Sequence, residues 1–123
     1  MWLYVALGGG AGATLRYFVM EWVARRLGAE FPYSTLTVNI LGSLCMGLLV
    51  GLLARYLPPH QQEIRSFVAV GVLGGFTTFS TFSLDALTLI ERGAWGSSLL
   101  YMLASVLLCV AGLGLGLFIV RSF

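Results

Sequence analysis

Charge is scarce in this chain. Asp, Glu, Lys and Arg together make up 10% of its 123 residues, against about 25% in a typical soluble domain. Lysine is absent: all seven basic side chains are arginines, set against five acids. So few charges cannot coat a water-facing surface, which excludes an ordinary soluble enzyme. The 59% hydrophobic content excludes a disordered chain. The arginines are scattered, so the clustered basic footprint of a nucleic-acid binder is missing too. Only two cysteines occur, Cys45 and Cys109, both inside apolar runs and without a C-x-x-C partner. That excludes a disulfide scaffold or a thiolate metal site, and both read as small core residues. No nucleophile–base pair or metal-ligand cluster is visible, so nothing points to an enzyme. The first seven residues carry no basic side chain and Arg16 interrupts the apolar stretch, unlike a cleaved signal peptide.

What is abundant is apolar length. Mean hydropathy is +0.93, and the chain divides into four stretches of the roughly 20 apolar residues that a spanning helix needs. They run approximately over residues 2–23, 35–56, 64–91 and 97–120. Trp2, Tyr4, Trp22, Tyr33, Tyr56 and Trp95 fall near their ends, where an interfacial aromatic belt belongs. The expectation is an all-α integral membrane protein, one domain of four antiparallel spans over residues 1–123. Each stretch holds one G-x-x-x-G: Gly8/Gly12, Gly47/Gly51, Gly71/Gly75 and Gly112/Gly116. Such pairs let helix backbones approach closely in lipid.

With four spans, both termini and the middle loop share one side of the membrane. That side carries Arg55, Arg65 and Arg121; the other carries Arg25, Arg26 and Arg92. The tie gives insertion no preferred orientation. Either it is chance in a small sample, or the chain inserts both ways and pairs about a two-fold axis in the membrane plane.

Several residues do not belong in lipid. Arg16 stands inside the first stretch, where an arginine costs a few kcal/mol unless it faces a cavity or partner. It reads as an anion-attracting charge in a vestibule, as an ion pair with Glu21 or Asp85, or as a snorkelling side chain. Asn39 either binds helices together or lines a pore. In the third stretch, Gly74-Gly75 precedes five hydroxyl residues within residues 77–83. Gly and β-branched Thr disfavour continuous helix. A break there frees backbone groups that are tolerated only in a protein-lined or polar setting, and such breaks hold ions in transporters. Carbonyl oxygens suit a hard cation such as Na⁺. Phe79 and Phe82 share a helix face, either as core packing or with positive ring edges toward a small anion. Ser80, Thr81 and Ser83 would donate to such an ion. Tyr101 and Ser105 share a face of the fourth stretch and extend the polar track, or serve as an interfacial Tyr and a packing Ser.

Three segments resemble the motifs of the CrcB/Fluc fluoride-channel family. Residues 8–17, GGGAGATLRY, resemble its G-G-x-G-A-x-x-R-[YW]; residues 35–39, TLTVN, its T-L-x-V-N; residues 74–82, GGFTTFSTF, its G-G-x-T-T-F-S-T-F. Ser34 departs from the family's usual Gly. The resemblance covers essentially the whole chain. It implies a dual-topology antiparallel homodimer with two pores, passively exporting fluoride across the cytoplasmic membrane. Arg16 and Asn39 would sit at the fluoride vestibule, and Phe79 and Phe82 would face fluoride with their edges. Ser80, Thr81, Ser83, Tyr101 and Ser105 would serve the polar track. Carbonyls of Gly74 and Thr77 from both protomers would hold a central structural Na⁺. An anion pathway and a possible cation site follow from the residues; fluoride follows only from the resemblance. The alternatives are a small dual-topology multidrug exporter, which needs a carboxylate where this chain has Arg16, and a non-transporting membrane subunit.

Overall fold

Long apolar runs in lipid have to satisfy their backbone groups internally, and helix is the local answer. The computed structural model describes residues 1–123 and is all helical. Helix α1 spans Trp2–Leu27 and α2 spans Tyr33–Tyr56. The third span, Gln61–Glu91, is composite. It comprises α3 (Gln61–Ile64), a π-helical segment (Arg65–Leu73), α4 (Gly74–Phe76) and, after a break at Thr77-Thr78, α5 (Phe79–Glu91). Helix α6 spans Trp95–Arg121. The helices outrun the apolar stretches at most ends, because interfacial residues such as Arg25, Arg26 and Tyr33 continue the ladder. Gly28 ends α1 at φ 84°, a conformation that glycine adopts freely.

Three helices are long and apolar enough to cross a membrane: Tyr33–Tyr56, Gln61–Glu91 and Trp95–Arg121. The fourth stretch expected to span, residues 2–23, lies in α1, which is long but less apolar than these three. The 26 residues of α1 reach far enough, at about 1.5 Å per residue. Its sequence, however, carries Arg16, Glu21, Arg25 and Arg26. The surface is inverted relative to a soluble protein. Only 20 of 123 residues are buried, while Leu, Val and Phe side chains along every long helix are exposed. All six belt aromatics are exposed at helix ends.

Glycines decide which helices pair. A Cβ on Gly8 would strike the Phe67 carbonyl oxygen, and one on Gly12 that of Val72. From the other side, a Cβ on Gly75 would lie 2.6 Å from the Gly9 carbonyl oxygen. The first and third glycine pairs therefore lock α1 against the π-helical segment and α4. The second and fourth do the same for α2 and α6. Gly47 lies against the Leu113 carbonyl, and a Cβ on Gly116 would come 2.5 Å from the Leu44 carbonyl oxygen. Lipid gives apolar helices no reason to associate, so this backbone approach supplies the packing.

Three contacts define the two ends. Ser66 Oγ meets Met1 Sδ at 3.4 Å, and Arg55 Nη1 donates to the Val120 carbonyl at 3.2 Å. At the opposite end Arg92 Nη1 donates to the Glu30 carbonyl at 3.4 Å.

Candidate functional site: the break in the third span

The break begins where Thr77 turns extended (φ −92°, ψ 160°), followed by Thr78 (φ −153°, ψ 118°). A continuous helix would aim the Thr78 amide at the Gly74 carbonyl. Here it donates instead to Asn39 Oδ1 at 2.8 Å, and Asn39 Nδ2 donates back to the Thr78 carbonyl at 3.1 Å. One side chain of α2 thus satisfies both freed groups of Thr78. Gly42, one turn along α2, lets the Thr77 methyl approach so closely that a Cβ would strike it. Thr78 then caps α5: its hydroxyl accepts from the Thr81 amide at 3.2 Å and donates to Thr81 Oγ1 at 3.1 Å. Ser80 Oγ lies 3.3 Å from the same hydroxyl.

The cap sets the direction of α5 and hence its aromatic face. Phe79 and Phe82 have ring centroids 5.3 Å apart, tilted by 49°. Phe82 meets Tyr101 of α6 at 5.2 Å, and Phe31 meets Tyr101 edge-on at 5.6 Å. Phe79 is 77% exposed, an outward-facing aromatic at the mouth of the break. A cavity of about 480 Å³ lies alongside, lined among others by Asn39, Gly74, Thr77, Phe79, Phe82 and Ser105. Ser105 is 6% exposed, and its hydroxyl has no hydrogen-bond partner in the protein. A buried hydroxyl left in that state costs about 1–3 kcal/mol, so an unpartnered one beside a cavity points to an occupant.

This geometry is joined by sequence relationships of high coverage. The family profile described as "CrcB-like protein, Camphor Resistance (CrcB)" matches residues 3–117. A fluoride-specific ion channel FluC of Rhodospirillum centenum is 51% identical over 122 residues, covering 99% of this chain and 96% of the relative. One from Agrobacterium fabrum is 52% identical over 118 residues, covering 96% and 94%. The chain belongs to the CrcB/FluC family. A third FluC channel, from Magnetococcus marinus, is 50% identical over 118 residues, covering 96% and 95%.

Within this CrcB/FluC chain, the cavity brings together Asn39, Phe79, Phe82, Ser105, Gly74 and Thr77. Five other candidates lie off its wall. Ser83 donates back to the Phe79 carbonyl at 3.0 Å along its own helix, and Ser80 and Thr81 cluster on the Thr78 cap. Tyr101 is fully buried behind Phe82. Arg16 is half-buried and makes no ion pair: Glu21 binds Arg25 at 3.2 Å, and Asp85 is held elsewhere. The ion-pair reading of Arg16 is therefore corrected.

Asp85 is the residue that sequence reasoning undervalued. Its Oδ2 accepts from Thr35 Oγ1 at 2.6 Å and from the Tyr101 hydroxyl at 3.0 Å. Two neutral donors from two other helices hold this carboxylate within the span. A signal was present: an acid within a span is a site by default, because lipid tolerates it only with partners. Thr78 and Gly42 were missed as well, and their roles depend on which helix faces the break.

Proposed function

We propose that this chain forms a passive fluoride channel of the cell membrane, as an antiparallel dual-topology homodimer. The observation that carries the site assignment is the break at Thr77-Thr78, with its Phe ring pair and the unpartnered Ser105 hydroxyl on one cavity. Phe ring edges and neutral donors bind an anion weakly enough to let it go, which conduction requires. Asn39, Phe79, Phe82 and Ser105 form the cavity-lining part of the path. Ser80, Thr81, Ser83 and Tyr101 support it from behind, and Arg16 attracts the anion from α1. In this reading α1 crosses the membrane with the other three spans, completing one four-helix channel domain.

The same break suits a structural Na⁺. Asn39 diverts the Thr78 amide from the Gly74 carbonyl, so that oxygen is spared its helical donor. No cluster of His, Cys, Asp or Glu able to hold a metal occurs in the chain. Neutral carbonyl oxygens fit a hard monovalent cation, and Gly74 and Thr77 would hold it. Bound there, Na⁺ would supply a positive partner for the Gly74 carbonyl dipole that has lost its helical donor.

A drug-cation exporter is disfavoured. The carboxylate within the span, Asp85, is half-buried, already has two hydroxyl donors and sits behind the aromatic face, off the cavity wall. Efflux from liposomes tests the function directly. Purified protein releases fluoride, read by electrode, and little chloride in a matched control. Equal release of both ions, or none from verified dimers, overturns the reading.

A further inference from the structure

At the membrane end shared by the C-termini of α2 and α6 lies a second cavity of about 260 Å³. Its wall is formed by Val50, Gly51, Ala54, Leu117 and Val120, with Arg55 and Arg121 at its polar side. Neither guanidinium is ion-paired; Glu21 is held by Arg25, and Glu63 meets His60. Arg55 gives one N–H to the Val120 carbonyl at 3.2 Å and stands 5.8 Å from the Tyr56 ring centroid, leaving its other donors free. Arg121 lies in the last turn of α6.

Two unpaired arginines at a membrane interface serve the helix C-termini, whose partial negative charge favours cations. That role needs no cavity. The cavity adds an apolar floor running inward from the guanidiniums along Val50 and Leu117. Such a shape matches a molecule with a phosphate at one end and a hydrocarbon chain at the other. Arginine forks bind phosphate oxygens bidentately, and basic pockets between spanning helices bind anionic headgroups.

We infer that Arg55 and Arg121 form a binding site for the phosphate of an anionic glycerophospholipid, whose acyl chain lies on Val50 and Leu117. Free phosphate shares the headgroup chemistry but leaves the apolar floor empty, so the lipid is the favoured occupant. The site is separate from the ion path and stands whether or not the fluoride reading does.

The test is native mass spectrometry of the detergent-purified protein titrated with phosphatidylglycerol, phosphatidylcholine or inorganic phosphate. The wild type is expected to retain phosphatidylglycerol over phosphatidylcholine by roughly 30-fold, since each basic contact contributes about fivefold. Arg55→Gln with Arg121→Gln abolishes that preference. If the double variant does not fold, Leu117→Trp fills the apolar floor, leaves both arginines in place and weakens lipid retention. No preference in the wild type, or an unchanged preference in a folded double variant, overturns the site. Inorganic phosphate that displaces the lipid at equal concentration overturns the lipid as its occupant.

Discussion

At Asn39 one amide side chain replaces two lost helix hydrogen bonds, accepting from the Thr78 amide and donating to the Thr78 carbonyl. Aspartate there keeps the acceptor and loses the donor. It leaves the Thr78 carbonyl unpaired, at about 1–3 kcal/mol, and sets a negative charge beside the proposed anion path. Asn39→Asp is therefore expected to abolish fluoride efflux from liposomes; normal conduction would confine Asn39 to helix packing. Phe79→Ile and Phe82→Ile remove the positive ring edges while keeping apolar bulk. Each is expected to lower flux by at least about tenfold, the equivalent of about 1.4 kcal/mol in a barrier. Normal flux through both variants, with the protein still folded, would sink the edge-on aromatic role. Asn39, Phe79 and Phe82 were legible as polar or aromatic residues in unusual places. That Asn39 serves Thr78, and that Asp85 serves Thr35 and Tyr101, was not, because these partners lie 39, 50 and 16 residues away in the chain.

Among the elements, the third span differs most from its sequence expectation. Gly74-Gly75 and the hydroxyl run announced a break, and the break falls at Thr77-Thr78. The nine-residue π-helical segment before it was not announced. Runs of that length are uncommon, and π turns gather at functional sites. The four glycine pairs were legible as close-packing motifs, but not which pair meets which. Helix α6 offers a test in which two glycines differ only in what surrounds them. Gly114 has open space around it, whereas a Cβ on Gly116 would come 2.5 Å from the Leu44 carbonyl oxygen. Gly114→Ala is expected to be neutral or stabilising, since Ala is the better helix former by about 1 kcal/mol. Gly116→Ala forces α2 and α6 apart and is expected to cost about 1–3 kcal/mol. Thermal unfolding in detergent compares the two, and equal stability would show that this contact does not hold the pair together.

For the whole molecule, the decisive quantity is the balance of arginines between the two membrane faces. The contacts of Arg55 with Val120 and of Arg92 with Glu30 put Arg55 and Arg121 at one end and Arg92 at the other. Ser66 beside Met1 places Arg65 with the first group, and Arg25 and Arg26 close the opposite end of α1. The tie read from sequence thus survives folding. A tag fused at the C-terminus is expected to be cleaved by external protease in about half of the molecules in sealed vesicles, because the proposed dual topology favours neither orientation. Adding two lysines after Arg121 should bias that ratio toward one side. A single orientation in the unmodified chain would remove dual topology and with it the antiparallel dimer.

By itself the sequence determined the solvent and the class: with so few charges and such long apolar runs, the chain belongs in a bilayer as helices. It also determined where the third span would break, since glycine and threonine weaken helix locally, and which residues were out of place in lipid. The tertiary structure alone decided who answers whom. It chose α1 against the π-helical segment and α2 against α6, and it assigned Asn39 to Thr78 and Asp85 to Tyr101. It also left Ser105 without a partner beside the cavity. Helix formation and its failure are local, set by hydrogen bonds four residues apart. The satisfaction of a buried polar group depends on which helix lies across from it, and that depends on packing between segments distant in the chain.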